Sequence, residues 1–179
     1  MTMNNNSFYI SELEQTDASM LHKFMMDNVK RFVPYLPYTL AKNLKVEASE
    51  EYIAAQQQKM KHKLEYTFLL KDVTTNAIFA LIILKDINWQ KGIGEFAYCI
   101  DKQKENKGIM SSAITKFSNY AFTSLGLKTL QIVSHKTNIA SIKVATNCGF
   151  IWKKTLKNEY APPNAPTQDM ELYELQHER

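Results

Sequence analysis

EFAYCI, residues Glu95–Ile100, has the pattern of a short apolar strand, and it is followed by the charged loop DKQKENKG and the segment IMSSAITKFSNYAFTS, Ile109–Ser124. One face of that last segment carries its apolar residues, Met110, Ala113, Ile114, Phe117 and Ala121, as in an amphipathic helix. Gly108 lies where the chain turns into the helix, and glycine accepts turns that other residues avoid. The first amides of a helix have no partner within it and favour anions. The pattern therefore predicts a phosphate-binding turn, with an ordinary helix start as the alternative.

The elements on either side of this stretch indicate a mixed α/β fold. Alternation predicts a strand at Ser7–Leu13, and β-branched and aromatic residues between turn residues predict strands at Tyr66–Asp72 and Ala77–Ile87. Further strands are predicted at Thr129–Ser134, Gly149–Leu156 and Met170–Leu175. Helical spacing predicts a helix capped by Thr16-Asp17 and broken by Pro34–Tyr38, a second at Ser49–Lys63 and a third at Asn138–Asn147. With 179 residues and 20.7 kDa, we expect a single domain over residues 1–179, built on a mixed α+β sheet.

Composition excludes several classes of protein. Twenty of the 22 cations are lysines and the net charge is only +4, so no specific nucleic-acid partner is expected. The longest apolar run, Ile78–Leu84, is far shorter than the roughly 20 residues of a membrane span, and the first residues do not resemble a secretory signal. Cys99 and Cys148 are too few for a zinc ribbon or disulfide scaffold. We expect free thiols in the cytoplasm, with no metal site and no membrane partner.

Four segments, in order, resemble the Gcn5-related N-acetyltransferase (GNAT) superfamily, and within it the ribosomal-protein N-acetyltransferase branch, which is RimJ/RimL-like. Glu105–Met110, ENKGIM, is similar to the loop that commonly reads QGKGIM in that branch. The other three segments are NVKRFVPYLPY at Asn28–Tyr38, EFAYCID from Glu95, and NIASIKVATNCGF at Asn138–Phe150. Together they span almost the whole chain.

The resemblance implies a GNAT-like fold, with a mostly antiparallel central sheet that splays after the fourth strand and is flanked by helices. It implies acetyl-CoA (coenzyme A) as the cofactor, with its pantetheine arm in the opening. The cofactor-binding residues it implies are Tyr98 and Ile100 through backbone groups, Asn106, Lys107, Gly108, Ile109 and Met110 at the pyrophosphate, and Asn138.

Three positions depart from the family pattern. Glu105 and Asn106 replace the usual glutamine and glycine, and we expect weaker cofactor binding because an acidic side chain repels pyrophosphate and a side chain at 106 restricts the turn. Ala145 stands where many members of the superfamily carry a tyrosine that acts as general acid. The ribosomal-type branch generally lacks that tyrosine too and offers a serine instead, here Ser141.

Amine acetylation itself requires two proton transfers. A primary amine is mostly protonated at pH 7 and must lose a proton before it attacks a thioester, and the departing thiolate needs a donor. Glu95 is the candidate base and Ser141 the candidate donor; the alternatives are an exposed strand-end residue and a helix serine bonded to the preceding turn. Asn138 is also a natural helix cap. Tyr35 and Tyr38 are candidates for an acceptor pocket or for the core.

The predicted function is direct transfer of acetyl from acetyl-CoA to a primary amine, with a protein N-terminal amine as the expected acceptor. Two alternatives stay open: a polyamine or other small-amine acetyltransferase, and a non-catalytic basic module that binds RNA or ribosomes. We expect a monomer or a homodimer.

Overall fold

The structure, a computed structural model, describes residues 3–5, 8–163 and 166–177. The chain forms two compact units, one of residues 1–83 with 98–104 and the other of residues 84–97 with 105–179. The prediction of a single domain stays a prediction. No helix among the described residues has the length and apolar character needed to cross a membrane.

The first unit combines helices with antiparallel strands. Its strand order is β1-β2-β3-β4-β5, where β4 and β5 also contribute residues to the second unit. Its elements are β1 (Met3–Asn5), β2 (Phe8–Glu12), a 3-10 turn (Gln15–Asp17), α1 (Ala18–Asp27), α2 (Val29–Phe32), α3 (Pro37–Ala41), α4 (Val46–Lys61), β3 (Tyr66–Asp72), the start of β4 (Ile78–Asn88), the end of β5 (Ile93–Ile100) and a 3-10 turn (Lys102–Lys104). Helix α1 packs against α4, and α4 against β3.

The core of this unit explains why its central strands lack alternation. Strand β3 is buried from Tyr66 to Lys71, and β4 is buried from Ile78 to Leu84. A strand covered on both faces selects apolar residues at successive positions rather than at every second one. Leu21 of α1 and Ile53 of α4 are completely buried in the same unit.

The predicted helix boundaries near the prolines are wrong in detail. Helix α1 ends at Asp27, before Pro34, because Asn28 leaves helical geometry with ψ near 11°. Pro37 does not break a helix but begins α3, where its missing amide hydrogen costs nothing. Helix α4 begins at Val46 rather than at Ser49, and the Ser49 hydroxyl is buried and donates to Asn43 Oδ1 at 2.8 Å.

The second unit contains the rest of β4 and β5 and all later elements, with strand order β4-β5-β6-β8-β7. These elements are α5 (Ile109–Thr123), β6 (Thr129–Ser134), α6 (Ile139–Asn147), β7 (Ile151–Tyr160) and β8 (Gln168–Gln176). Strand β5 pairs with β6 in parallel, whereas β8 pairs antiparallel with both β6 and β7. The parallel pair requires a crossover between β5 and β6, and α5 forms it. Since the sheet contains both parallel and antiparallel pairs, the predicted mixed α/β sheet is confirmed.

The interior of the second unit is formed by the predicted apolar face of α5. All five residues of that face are 5% exposed or less. Gly94 of β5 is packed so tightly that a β-carbon there would lie 2.9 Å from Leu84 Cδ1 and 3.0 Å from Leu127 Cδ1. The packing around Gly94 therefore leaves no room for a side chain at this position.

The parallel pair ends before strand β6 does. Strand β5 pairs with β6 from Ile93 to Phe96, whereas β8 pairs along β6 as far as Ser134. Within the described part of this unit, Val133 and Ser134 therefore have a strand neighbour on the β8 side only. The Ser134 hydroxyl is buried and has no hydrogen-bond partner. The pairing of β5 with β6 ends at Phe96, which agrees with the predicted splay after the fourth strand, β5 in this structure.

Candidate active site

The turn into α5 has the backbone geometry of an anion-binding loop. Asn106 and Gly108 both adopt left-handed conformations, with φ of 57° and 70°. A β-carbon at Gly108 would meet no atom within 4 Å, so the space in front of the turn is open. Helix α5 follows for 15 residues, and its first backbone amides point out of its positive end. Alternating left-handed and right-handed residues form a concave array of amides that binds anions.

The predicted cofactor residues Asn106 to Met110 contribute to this turn in different ways. Asn106, Lys107 and Gly108 are exposed, whereas the Met110 side chain is buried in the core of the unit. Only the backbone amide of Met110 therefore remains for a ligand. Asparagine enters the left-handed region more readily than other non-glycine residues. The expected restriction by a side chain at 106 is thus avoided, because Asn106 adopts the turn that a glycine would adopt.

Asn138 caps helix α6, as predicted, and it is linked to the candidate proton donor. Its Oδ1 accepts a hydrogen bond from the backbone amide of Ser141 at 3.2 Å. At the other end of α6, the Cys148 thiol donates to the Ser111 carbonyl at 3.2 Å, within the first turn of α5. Ser141 precedes Cys148 by about two helical turns, or about 10 Å along the axis. The anion-binding turn and Ser141 therefore lie toward opposite ends of α6.

The two cysteines have the character of packing residues. Burial raises the pKa of Cys148, and burial raises the pKa of Cys99 to about 12. A thiol with a raised pKa is a weak nucleophile at neutral pH. No group of three or more metal-ligating side chains is found among the described residues.

Glu95 is a half-buried carboxylate in the middle of the sheet rather than an exposed strand end. Its side chain is 19% exposed, and its Oε1 lies 2.7 Å from the Lys85 ammonium. Burial raises the pKa of Glu95, and the charge of Lys85 offsets only part of that effect. A carboxylate with a raised pKa takes up and releases a proton nearer to neutral pH. Sequence reasoning missed Lys85, although an LKD triplet inside an apolar strand was a visible signal.

The end of β5 belongs to the first unit and is held by two residues of its helical segment. Arg31 Nη1 donates to the Ile100 carbonyl at 3.1 Å and to Asn28 Oδ1 at 2.9 Å. The buried Asn28 also donates to Asp101 Oδ2 at 2.9 Å. One of the two backbone groups of Ile100 is thus already engaged by Arg31. Sequence reasoning missed both holding residues, although Arg31 is one of only two arginines in the chain.

The two candidate acceptor tyrosines lie on the surface of the first unit. Tyr35 is 43% exposed and Tyr38 is 56% exposed. Tyr98 lies in β5, two residues before Ile100, and is half-buried. The alternative that Tyr35 and Tyr38 are core residues is wrong, because core aromatics such as Phe24 and Phe32 are below 5% exposed.

Comparison with known proteins identifies the family. The model of the acetyltransferase (GNAT) domain matches residues 8–151. The chain belongs to this GNAT family. It is therefore an N-acetyltransferase enzyme, as the sequence predicts, and the non-catalytic alternative is not supported.

Two related GNAT sequences are similar over most of their length. The probable N-acetyltransferase YjcK of Bacillus subtilis is 24% identical over 145 residues, which is 80% of this chain and 80% of that protein. The spermidine N(1)-acetyltransferase of Vibrio cholerae is 24% identical over 159 residues, which is 87% of this chain and 86% of that protein.

Solved GNAT structures confirm the fold. The ribosomal-protein-S5-alanine acetyltransferase of Vibrio fischeri has a TM-score of 0.91 at 19% identity, over 98% of this chain and 96% of that chain. A ribosomal-protein alpha-N-acetyltransferase, RimL, crystallised with coenzyme A, has a TM-score of 0.90 at 14% identity, over 98% of both chains. The predicted similarity to the RimJ/RimL-like branch is therefore confirmed for the fold.

Proposed function

We propose that this GNAT enzyme transfers acetyl from acetyl-CoA directly to a primary amine, and that the amine is a protein N-terminus. Acetyl-CoA is the cosubstrate, which is supported by the family and by the coenzyme A complex of RimL. The observation that carries the proposal is the open, left-handed turn of Asn106 and Gly108 at the start of α5. Such a turn fits a diphosphate because it offers several amides and no β-carbon at its closest point.

Within the proposed site, the backbone amides from Asn106 to Met110 hold the pyrophosphate, and the exposed Lys107 adds a positive charge. When bound, the cosubstrate supplies an acetyl group as a reactive thioester. On the resemblance, Tyr98 and Ile100 offer backbone groups to the pantetheine arm, and Asn138 lies beside it. Tyr35 and Tyr38 are proposed to contact the acceptor on the first unit.

The proposed proton transfers use two residues with different environments. Glu95 accepts the proton of the acceptor ammonium, directly or through one water, because its burial brings its pKa toward the working range of a base. Ser141, in the first turn of α6, donates a proton to the departing thiolate and is reprotonated by water. The distance from the anion-binding turn to Ser141 along α6 suits a long cosubstrate whose charged and reactive ends are separated.

A small polyamine is the second candidate acceptor. It is favoured by the similarity to the spermidine N(1)-acetyltransferase over 87% of this chain. The N-terminal amine is supported by the ribosomal-protein acetyltransferases among the similar solved structures. A panel containing short peptides, the same peptides with blocked N-termini, and spermidine separates the two. A higher kcat/KM for spermidine than for every free peptide would overturn the N-terminal proposal.

Cofactor binding is tested by thermal unfolding with coenzyme A. At a concentration one hundred times Kd, a ligand that binds only the native state stabilises it by about 2.7 kcal/mol. We expect Gly108→Val to abolish the shift, because a branched side chain obstructs the turn. Gly126→Val is the matched control: Gly126 also has a left-handed φ, 72°, and open space around its Cβ position. It should lose similar stability yet keep the shift. No shift in the parental protein at millimolar coenzyme A would refute the proposal.

A further inference from the structure

A second carboxylate and a lysine accompany Glu95, forming what we call the β4 triad: Lys85, Asp86 and Glu95. The Lys85 ammonium lies 2.7 Å from Glu95 Oε1 and 2.5 Å from Asp86 Oδ2. Lys85 is one-third exposed, Asp86 is largely exposed, and Glu95 is the most buried of the three. One ammonium is thus shared between a buried and an exposed carboxylate.

The backbone of β4 is distorted at the triad. Consecutive residues of a regular strand point to opposite faces, so Lys85 and Asp86 would not ordinarily contact each other. Asp86 adopts a left-handed conformation, with φ of 49°, inside the strand. This region is uncommon for a non-glycine residue inside a strand, and such positions persist where the surroundings determine them. The distortion lets both side chains reach a common point.

The charges that face Glu95 make Lys85 the decisive neighbour. From β4 come Lys85 and Asp86, and from β7 comes Glu159, whose charge acts on Glu95 in the same direction as that of Asp86. On β6, Gln131 lies opposite Glu95 in the register and donates to Glu174 of β8 at 2.8 Å. The acidic neighbours disfavour an ionised Glu95, and Lys85 is the cation in contact with it.

We propose that Lys85 is a positioning residue that keeps Glu95 ionised and oriented as the base, and that Asp86 moderates this action by competing for the same ammonium. The inference rests on the proposed role of Glu95. It assigns to two residues outside the predicted site the task of setting the pH range over which the enzyme works.

The sign of each effect follows from the charges. Burial raises the pKa of Glu95 and Lys85 lowers it, so loss of Lys85 must raise it further. Loss of the Asp86 charge must lower the pKa of Glu95, because a repelling carboxylate is removed and the Lys85 ammonium then pairs with Glu95 alone. Burial lowers the pKa of Lys85, but Glu95 and Asp86 outweigh burial and the pKa is raised overall. Lys85 therefore stays charged throughout the assay range.

The test is the pH profile of kcat/KM for the full-length enzyme with one peptide acceptor and saturating acetyl-CoA. The rate falls at low pH as Glu95 is protonated. In Lys85→Gln the acid limb should move up by about one pH unit or more, since an opposite charge in contact shifts a carboxyl pKa by roughly 1–3 units. In Asp86→Asn it should move down by a smaller amount. Titration of the acceptor is common to all variants and cancels in the comparison.

Two variants serve as controls. Lys85→Arg keeps the charge and should keep the limb near its parental position. Lys157→Gln removes a lysine of the same unit that is paired instead with Asp169 at 2.6 Å, and it should leave the limb unchanged. The melting shift with coenzyme A should persist in all four variants.

Different outcomes separate this inference from the proposed function. If Lys85→Gln loses activity equally at every pH, or if the Gln and Asn variants move the limb in the same direction, Lys85 is merely structural and the inference is wrong. If Glu95→Gln keeps the parental acid limb, Glu95 is not the base and the proposed function itself fails at that residue. Should Lys85→Gln not fold, the opposite shift in Asp86→Asn and the unchanged limb in Lys85→Arg still decide the matter.

Discussion

Two lysine–carboxylate pairs, one in each unit, differ in how far they are buried and in how they are engaged. In the first unit, Lys71 Nζ lies 2.6 Å from Asp17 Oδ1, with side chains 6% and 2% exposed. The other Asp17 oxygen accepts from the Glu14 amide at 3.0 Å. In the second unit, the Lys85–Glu95 pair is partly open, with side chains 32% and 19% exposed.

The difference lies in how completely each carboxylate is engaged. Both oxygens of Asp17 have donors inside the protein, and its lysine has no competing carboxylate among the described ion pairs. The Lys85 ammonium is divided between two carboxylates, and among the described ion pairs it meets Glu95 at Oε1. A completed pair contributes to a defined structure, whereas an incomplete pair leaves a carboxylate oxygen for chemistry. The first pair is therefore expected to govern stability and the second activity.

The largest expected effect is on catalysis in Glu95→Gln. If Glu95 is the base, its loss should lower kcat/KM by roughly 10²–10⁴ while the protein remains folded, because glutamine has the same shape and no basic oxygen. Steady-state kinetics with a peptide acceptor and urea unfolding of the same sample measure both quantities. If Glu95→Gln keeps a near-parental rate between pH 6 and 9, Glu95 is a structural carboxylate, as Asp17 is.

The next effect is on stability in Lys71→Met. It leaves the buried Asp17 charge without its cation, which typically costs about 3–5 kcal/mol of unfolding free energy. Urea unfolding measures the loss. The double variant Lys71→Met with Asp17→Leu should recover much of it, since apolar residues of similar size often replace a buried pair. Lys157→Met, which removes an exposed pair, should leave the unfolding midpoint almost unchanged. If Lys71→Met lowers the free energy of unfolding only slightly, the Lys71–Asp17 pair does not govern stability and the proposed difference between the two pairs is wrong.

The smallest effect is expected in Ser141→Ala. A donor to the departing thiolate acts mainly in the transition state, so kcat should fall, by about tenfold where water replaces the hydroxyl, with coenzyme A affinity nearly unchanged. The helix cap should survive, because Asn138 Oδ1 accepts from the backbone amide of Ser141, which alanine retains. Equal losses in kcat and in coenzyme A affinity would show that Ser141 binds the cofactor instead.

Local features of the fold were accessible from the sequence. The predicted strand Thr129–Ser134 and the predicted strand Tyr66–Asp72 agree with the structure at both ends. Helix α5 was placed within one residue, because a complete apolar face and a glycine at its start leave little freedom. The boundaries near Pro34 and Ser49 were wrong. Asn28, where α1 ends, is bonded to Asp101 far along the chain, and Ser49 is bonded to Asn43, which precedes α4.

The candidate site likewise contains features that the sequence predicts and contacts that it does not. The turn at Gly108 and the cap at Asn138 are set by neighbouring residues, so their sequence signals were sufficient. The contacts of Glu95 with Lys85, and of Ile100 with Arg31, join residues that are far apart along the chain. No local pattern records such contacts.

The resemblance of four segments indicated the family, and by itself the sequence determined the main strands and helices and the glycine turn that opens α5. These depend on periodicity and on backbone preferences within a few residues. Only the tertiary structure decided which charged side chains meet: Lys71 with Asp17 in one unit, Lys85 with Asp86 and Glu95 in the other. The physical reason is that burial and the pairing of charges are properties of a residue's surroundings in space, and chain folding brings those surroundings together from distant parts of the sequence.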